Sequence, residues 1–232
     1  MSVTQEQTML SKIRERGYWR VVIRPTSFEE RHIPELSELF RIVERNVVRL
    51  RGWDYPHIDY KSQHERGKDW VGQEFQWEDE LEVWRLYQSG QFVHYFAIAE
   101  EWRDESSLRP PGQGWASGQH MYYISTVYSI VEIYEFAARL ALSPAGGVMM
   151  HVEIELGNLK GRRLIPETIH YPLGGEYRIT LPTWNHVWEG AQTELIASPR
   201  ELAALATREL FARFGLDLGL DILKKLQGGI GR

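Results

Sequence analysis

The chain has 232 residues, enough for one large domain or two small ones, and its 43% hydrophobic and 25% charged residues match ordinary globular usage. With 20 glycines, 10 prolines and no cysteine, it cannot be a collagen-like or low-complexity chain, nor carry disulfides, zinc knuckles, iron–sulfur clusters or a thiol nucleophile. The net charge of −5 is concentrated in residues 61–105, where 11 acidic groups face 5 basic ones, and no segment forms the Lys/Arg stripe that phosphate backbones require, so direct nucleic-acid contact is not expected.

Residues 1–16 read as an N-terminal arm or a short exposed helix, without the apolar run of a signal peptide. Residues 18–25 are rich in aromatic and β-branched side chains and predict a strand ending at Pro25. Pro34 suits the first position of a helix to Asn46, with Leu36, Phe40, Val43 and Val47 on one face. A short strand then enters the loop Arg51–His57, punctuated by Gly52 and Pro56.

Strand-like runs at Trp70–Trp77, Leu81–Tyr87 and Gln91–Ala99 predict an antiparallel meander, the last two joined by a turn at residues 88–91. Residues 103–120 have the composition of a boundary or mobile loop. A long helix is expected at residues 123–142. Val148–Leu156 alternates cleanly as a strand, with His151, Glu153 and Glu155 on the face opposite Val152 and Ile154. Arg163–Ile165 is expected to return after a turn, with further strands at Glu176–Leu181 and Thr193–Ile196. Ser198, Pro199 and Glu201 predict the start of a last helix that ends before Gly215.

The elements define an α+β fold: a mostly antiparallel sheet with two long helices and one medium helix packed on it. Residues 17–218 form a single domain, and 219–232 a C-terminal tail with a frayed end. The longest apolar-rich stretch carries Glu132, Glu135 and Arg139, so it reads as a core helix and not as a membrane span; a cytoplasmic location is the expectation.

Two constellations could carry chemistry. Arg51, Trp53, Asp54, Tyr55 and His57 place a guanidinium, two aromatic rings, a carboxylate and an imidazole within seven residues. That set suits partner binding, or an Asp–His pair for proton transfer. It equally suits a structural corner, with Arg51 stacked on Trp53 and Asp54 accepting from the loop backbone. His151, Glu153 and Glu155 share a strand face and could ligate Mg²⁺, Mn²⁺ or Fe²⁺, but a wet sheet face produces the same alternation. No nucleotide cradle, nucleophile elbow or zincin helix is present, and no cofactor is indicated. Twenty-eight aromatics are a heavy load, and Trp53, Tyr55, Tyr60, Trp70, Trp77, Trp102, Trp115, Trp184 and Trp188 fall on segments that read as exposed. Aromatic enrichment marks protein interfaces, and a meander of many short strands equally buries Trp by cross-strand packing.

The stretches GYWRVVIRPTSFEERHI, VVRLRGWDYPHID, WRLYQSGQFVH, STVYSIVEIYEFAARLA and ELIASP, in this order over residues 18–215, resemble an uncharacterised bacterial domain. That domain is found C-terminal to Schlafen-like, AlbA-type DNA-binding modules, and the module itself is missing here. The resemblance brings no catalytic residue and implies an accessory role. The expected function is therefore a non-catalytic interaction or sensor module that docks a protein partner, in a bacterial defence (antiviral) or regulatory system, alone or as a homo-oligomer. The alternative is a metal-dependent hydrolase or nuclease-like enzyme at one of the two constellations.

Overall fold

In the computed structural model, which describes residues 8–108, 110–167 and 173–229, the alternating runs become strands of one large sheet. Met9–Glu15 (α1) precedes Tyr18–Pro25 (β1), and Glu38–Asn46 (α2) follows it. Val48–Arg49 (β2) and Asp54–Tyr55 (β3) pair as a small ribbon. Glu65–Arg66 (β4) leads into the meander of Trp70–Trp77 (β5), Glu80–Tyr87 (β6) and Phe92–Ala97 (β7), closed by a 3-10 helix at Ala99–Glu105. His120–Tyr122 (β8) runs directly into Tyr123–Ala141 (α3). Met149–Gly157 (β9), Arg163–Ile165 (β10), Tyr177–Arg178 (β11) and Trp184–Ala191 (β12) follow, then Gln192–Ala197 (α4), Pro199–Arg213 (α5) and Leu220–Gln227 (α6).

The fold is α+β. Its main sheet has the order β12-β9-β1-β7-β6-β5-β4 and every pair in it is antiparallel. Because side chains alternate along a strand, Trp19, Val21 and Ile23 of β1 share one face with Met150, Val152, Ile154 and Leu156 of β9, and all seven are buried. Helix α3 covers this face; it is apolar nearly all round because α2, α5 and α6 enclose it further. Glu167 accepts from the backbone N–H groups of Ile124 and Ser125, placing a carboxylate on the positive end of α3. None of the described helices is long and apolar enough to cross a membrane.

Several expectations are corrected. Helix α2 begins at Glu38, not Pro34, because Gln88 of the meander takes the carbonyls of Ile33 and Pro34 and accepts the N–H of Ile33, which holds that segment outside the helix. Helix α1 is not exposed: Ile13 is fully buried among Tyr18, Leu81, Val83, Ala97 and Trp102 on the opposite face of the sheet. Residues 1–7 of the arm and 230–232 of the tail lie outside the described residues, whereas α6 packs on α5 and α3 and buries Leu223 and Leu226.

Arg163–Ile165 does not return onto β9. Buried Arg162 pairs with Glu101, carrying β10 to the parallel partner β8. The place beside β9 goes to β12, within a stretch read as loop. The segment at Thr193–Ile196 is helical: Leu195 is buried against the core, and Gln192 anchors the turn by donating to the carbonyls of Ala141 and Val148. Ser198 stands at the start of α5 without a side-chain capping bond, and Glu201 pairs instead with Lys224.

Candidate functional site

The loop Arg51–His57 lies across the end of β6 and β7, beside α3. Gly52 makes its first turn with φ +81°, a conformation that costs residues with a Cβ. Arg51 does not stack on Trp53. It reaches α3, where Nη2 and Nε donate to the two oxygens of Glu132 at 2.5 and 3.0 Å. Burial pushes the Glu132 carboxyl up, and Arg51 opposes this. Asp54 pairs with Arg49 of the ribbon at 2.6 Å and not with His57. Trp53 stacks on the His57 ring at 4.2 Å and on Trp77 at 5.7 Å. The bond between Tyr55 and Pro56 is cis, and the Tyr55 ring is buried edge-on to Phe96 and Phe136.

Two residues that the sequence reading passed over organise this loop. Glu82 of β6 and His94 of β7 both point to the α3 side of the sheet, among positions otherwise held by Trp84, Leu86, Phe92 and Phe96. Glu82 accepts from His94 Nε2 at 2.9 Å, from the backbone N–H of His57 at 3.1 Å and from Trp53 Nε1 at 3.5 Å. Burial alone would raise this carboxyl; the donors outweigh it and hold it below its ordinary value. The carbonyl of His57 takes the Trp84 indole N–H at 3.0 Å, and Gln73 Oε1 accepts the N–H of Asp59 at 3.2 Å. A polar residue on the inward face of an apolar strand was the available signal, since it must find a partner.

Between the loop, the β6–β7 face, the 3-10 helix and α3 lies a cavity of about 350 Å³, at the small end of ligand sites. Arg51, Trp53, Asp54 and Tyr55 line it with Glu82, His94, Phe96, Glu100, Tyr122 and Glu132. His57 is not among the lining residues; its backbone and ring support Trp53. Glu100, whose Oε1 accepts the Tyr122 N–H, has its carboxyl pushed up to about 7 by burial, with Glu167 adding to the rise. Burial raises the Tyr55 hydroxyl, and the nearby Glu82 and Glu132 carboxylates raise it further. Among the described residues, neither Tyr55 Oη nor His94 Nδ1 has a hydrogen-bond partner, although both are buried.

His151, Glu153 and Glu155 lie on the other face of the sheet. Glu153 meets Arg20 at 2.8 Å, Glu155 meets the Tyr18 hydroxyl at 2.9 Å, and His151 meets Glu189 at 2.7 Å. Among the described residues no group of three His, Asp or Glu side chains is placed to hold a metal ion. Of the aromatics read as exposed, Tyr55, Trp102 and Trp184 are buried; Tyr60 and Trp77 stand out in solvent.

No family model, curated protein or solved structure matches the chain. The resemblance noted in the sequence rests on its quoted segments alone.

Proposed function

We propose that the protein is a non-catalytic sensor module that binds a small molecule in the cavity beneath the Arg51–His57 loop. The observation that carries this reading is how the charged groups there are used. Glu82 accepts two donors from the loop and a third from His94, and Arg51 is spent on Glu132. His94 is 1% exposed. Such groups shape a site more readily than they meet a reacting bond. Burial of Tyr55, Trp102 and Trp184 also takes away much of the aromatic surface that a flat protein interface would use. Docking to a protein partner is retained in a narrower form: Trp77, exposed and stacked on Trp53 at the cavity edge, is the residue through which occupancy reaches a partner.

The test is a thermal-shift screen with a mixed panel of small cations, anions and neutral molecules, run beside the variant Ser129→Trp. Ser129 lines the cavity from α3, and an indole there would obstruct it. A ligand at a hundred times its Kd adds about 2.7 kcal/mol, so Tm should rise by about 5–10 °C in the wild type and stay unchanged in the variant. If no compound stabilises the protein, or the variant responds equally, the reading fails.

A further inference from the structure

We infer that the ligand of this cavity is a small organic ammonium, with an apolar or aromatic body and N–H donors directed at the cavity floor. The inference deepens the sensor reading and rests on it. Three independent features of the lining agree.

The first is charge. Asp54, Asp79, Glu80, Glu82, Glu100 and Glu132 line the cavity against the guanidinium groups of Arg51 and Arg103. Counted together, six carboxyl groups against two guanidinium groups give the lining a net negative charge, even with the Glu100 carboxyl raised to about 7. An anion entering it would meet unfavourable potential, and a cation would meet favourable potential that low-dielectric walls strengthen. The second is the walls. Trp53, Phe96 and Tyr122 line the cavity, and an ammonium beside an aromatic ring face is attracted by its quadrupole. Arg103 already lies 5.0 Å from the Tyr122 ring centre.

The third is a pair of buried polar atoms without hydrogen-bond partners among the described residues, in a lining where the donor Arg103 Nε is also unmatched. Glu82 accepts from His94 Nε2, and in the tautomer protonated there Nδ1 is an acceptor. Nearby, the Tyr55 hydroxyl is likewise unmatched among the described residues. A second histidine that faces the core sets the contrast. His186 of β12 has both ring nitrogens occupied, by Glu209 at 2.7 Å and the Tyr134 hydroxyl at 3.1 Å. Unmatched atoms also occur away from the lining, at His57 Nδ1 and Trp102 Nε1, so the contrast holds between His94 and His186 alone. An acceptor lacking a donor, beside carboxylates and rings, calls for a ligand that donates.

Titration calorimetry with three molecules of one shape tests this: phenethylamine, phenethyl alcohol and phenylacetate. The amine should bind about tenfold or more tighter than the alcohol, the scale of a partly desolvated cation–π contact, and phenylacetate should not bind. Tyr55→Phe should weaken the amine about threefold or more while Tm holds or rises, because the hydroxyl it removes has no partner to lose. If the alcohol or the acid binds as tightly as the amine and Ser129→Trp abolishes that binding, the ammonium is wrong and the cavity stands. If none of the three binds while some panel compound still gives a shift that Ser129→Trp removes, the ammonium is again wrong. If that shift is missing too, both readings fall. A Tyr55→Phe protein that loses stability together with affinity would show the hydroxyl to be structural and overturn its part in recognition.

Discussion

Glu100 shows how one side chain ties the cavity to pH. Its carboxyl stands at about 7 because burial disfavours the charged form; the Tyr122 N–H and Arg103 oppose the rise, and Glu167 adds to it. A carboxyl raised in the folded state stabilises it fully below the unfolded value of about 4.5 and loses that contribution as pH climbs to about 7. Glu100→Gln removes the ionisation. Relative to wild type, the variant should therefore gain about 2–3 kcal/mol between pH 4.5 and pH 8, at about 1.4 kcal/mol per pH unit discounted for partial exposure. Urea melts at the two pH values check this, and an equal pH dependence in both proteins would refute it.

At this scale the sequence displayed one half of each contact. Arg51, Trp53, Asp54, Tyr55 and His57 stood out because they are adjacent. Their partners did not, because Glu82 and Glu132 come from β6 and α3, and only the fold brings them there.

Among elements, α1 gives the clearest expectation. As a loose arm it would tolerate truncation of any side chain. As a helix whose Ile13 is fully buried against Tyr18, Leu81 and Trp102, it should not. Ile13→Ala should cost about 2–5 kcal/mol, the range for deleting a large aliphatic side chain from a core, measured by denaturant midpoint. A change within about 0.5 kcal/mol, typical of surface positions, would return α1 to the status of an arm.

Elements whose period was plain in sequence, such as β1, β5–β7, α3 and α5, were legible almost to the residue. Strand β12 was not. Its inward positions are Trp184, His186 and Trp188, and the histidine, matched by Glu209 and Tyr134, disguises the alternation. Helix α2 lost its first turn for a related reason, since Gln88 claims carbonyls that a helix start at Pro34 would have used.

For the whole molecule, the sheet order is what makes a site. Placing β7 beside both β1 and β6 sets His94 opposite Val21 on one side and Trp84 on the other, in the middle of a buried face. The chain crosses that face with α3 and closes its end with the Arg51–His57 loop, which leaves the cavity where polar and aromatic groups meet. Nothing local in the sequence states that order, because it depends on which distant strands pair.

The most direct measurement of the account is the imidazole ¹⁵N spectrum of the labelled protein, titrated with phenethylamine. Among the eight histidines of the chain, His94 should carry its proton on Nε2 in the free protein and have an unprotonated Nδ1. Adding the amine should move the His94 Nδ1 signal, while His186, with both nitrogens already matched, stays in place. A His94 proton found on Nδ1, or a His94 signal unmoved by amine that calorimetry shows to be bound, would contradict the account.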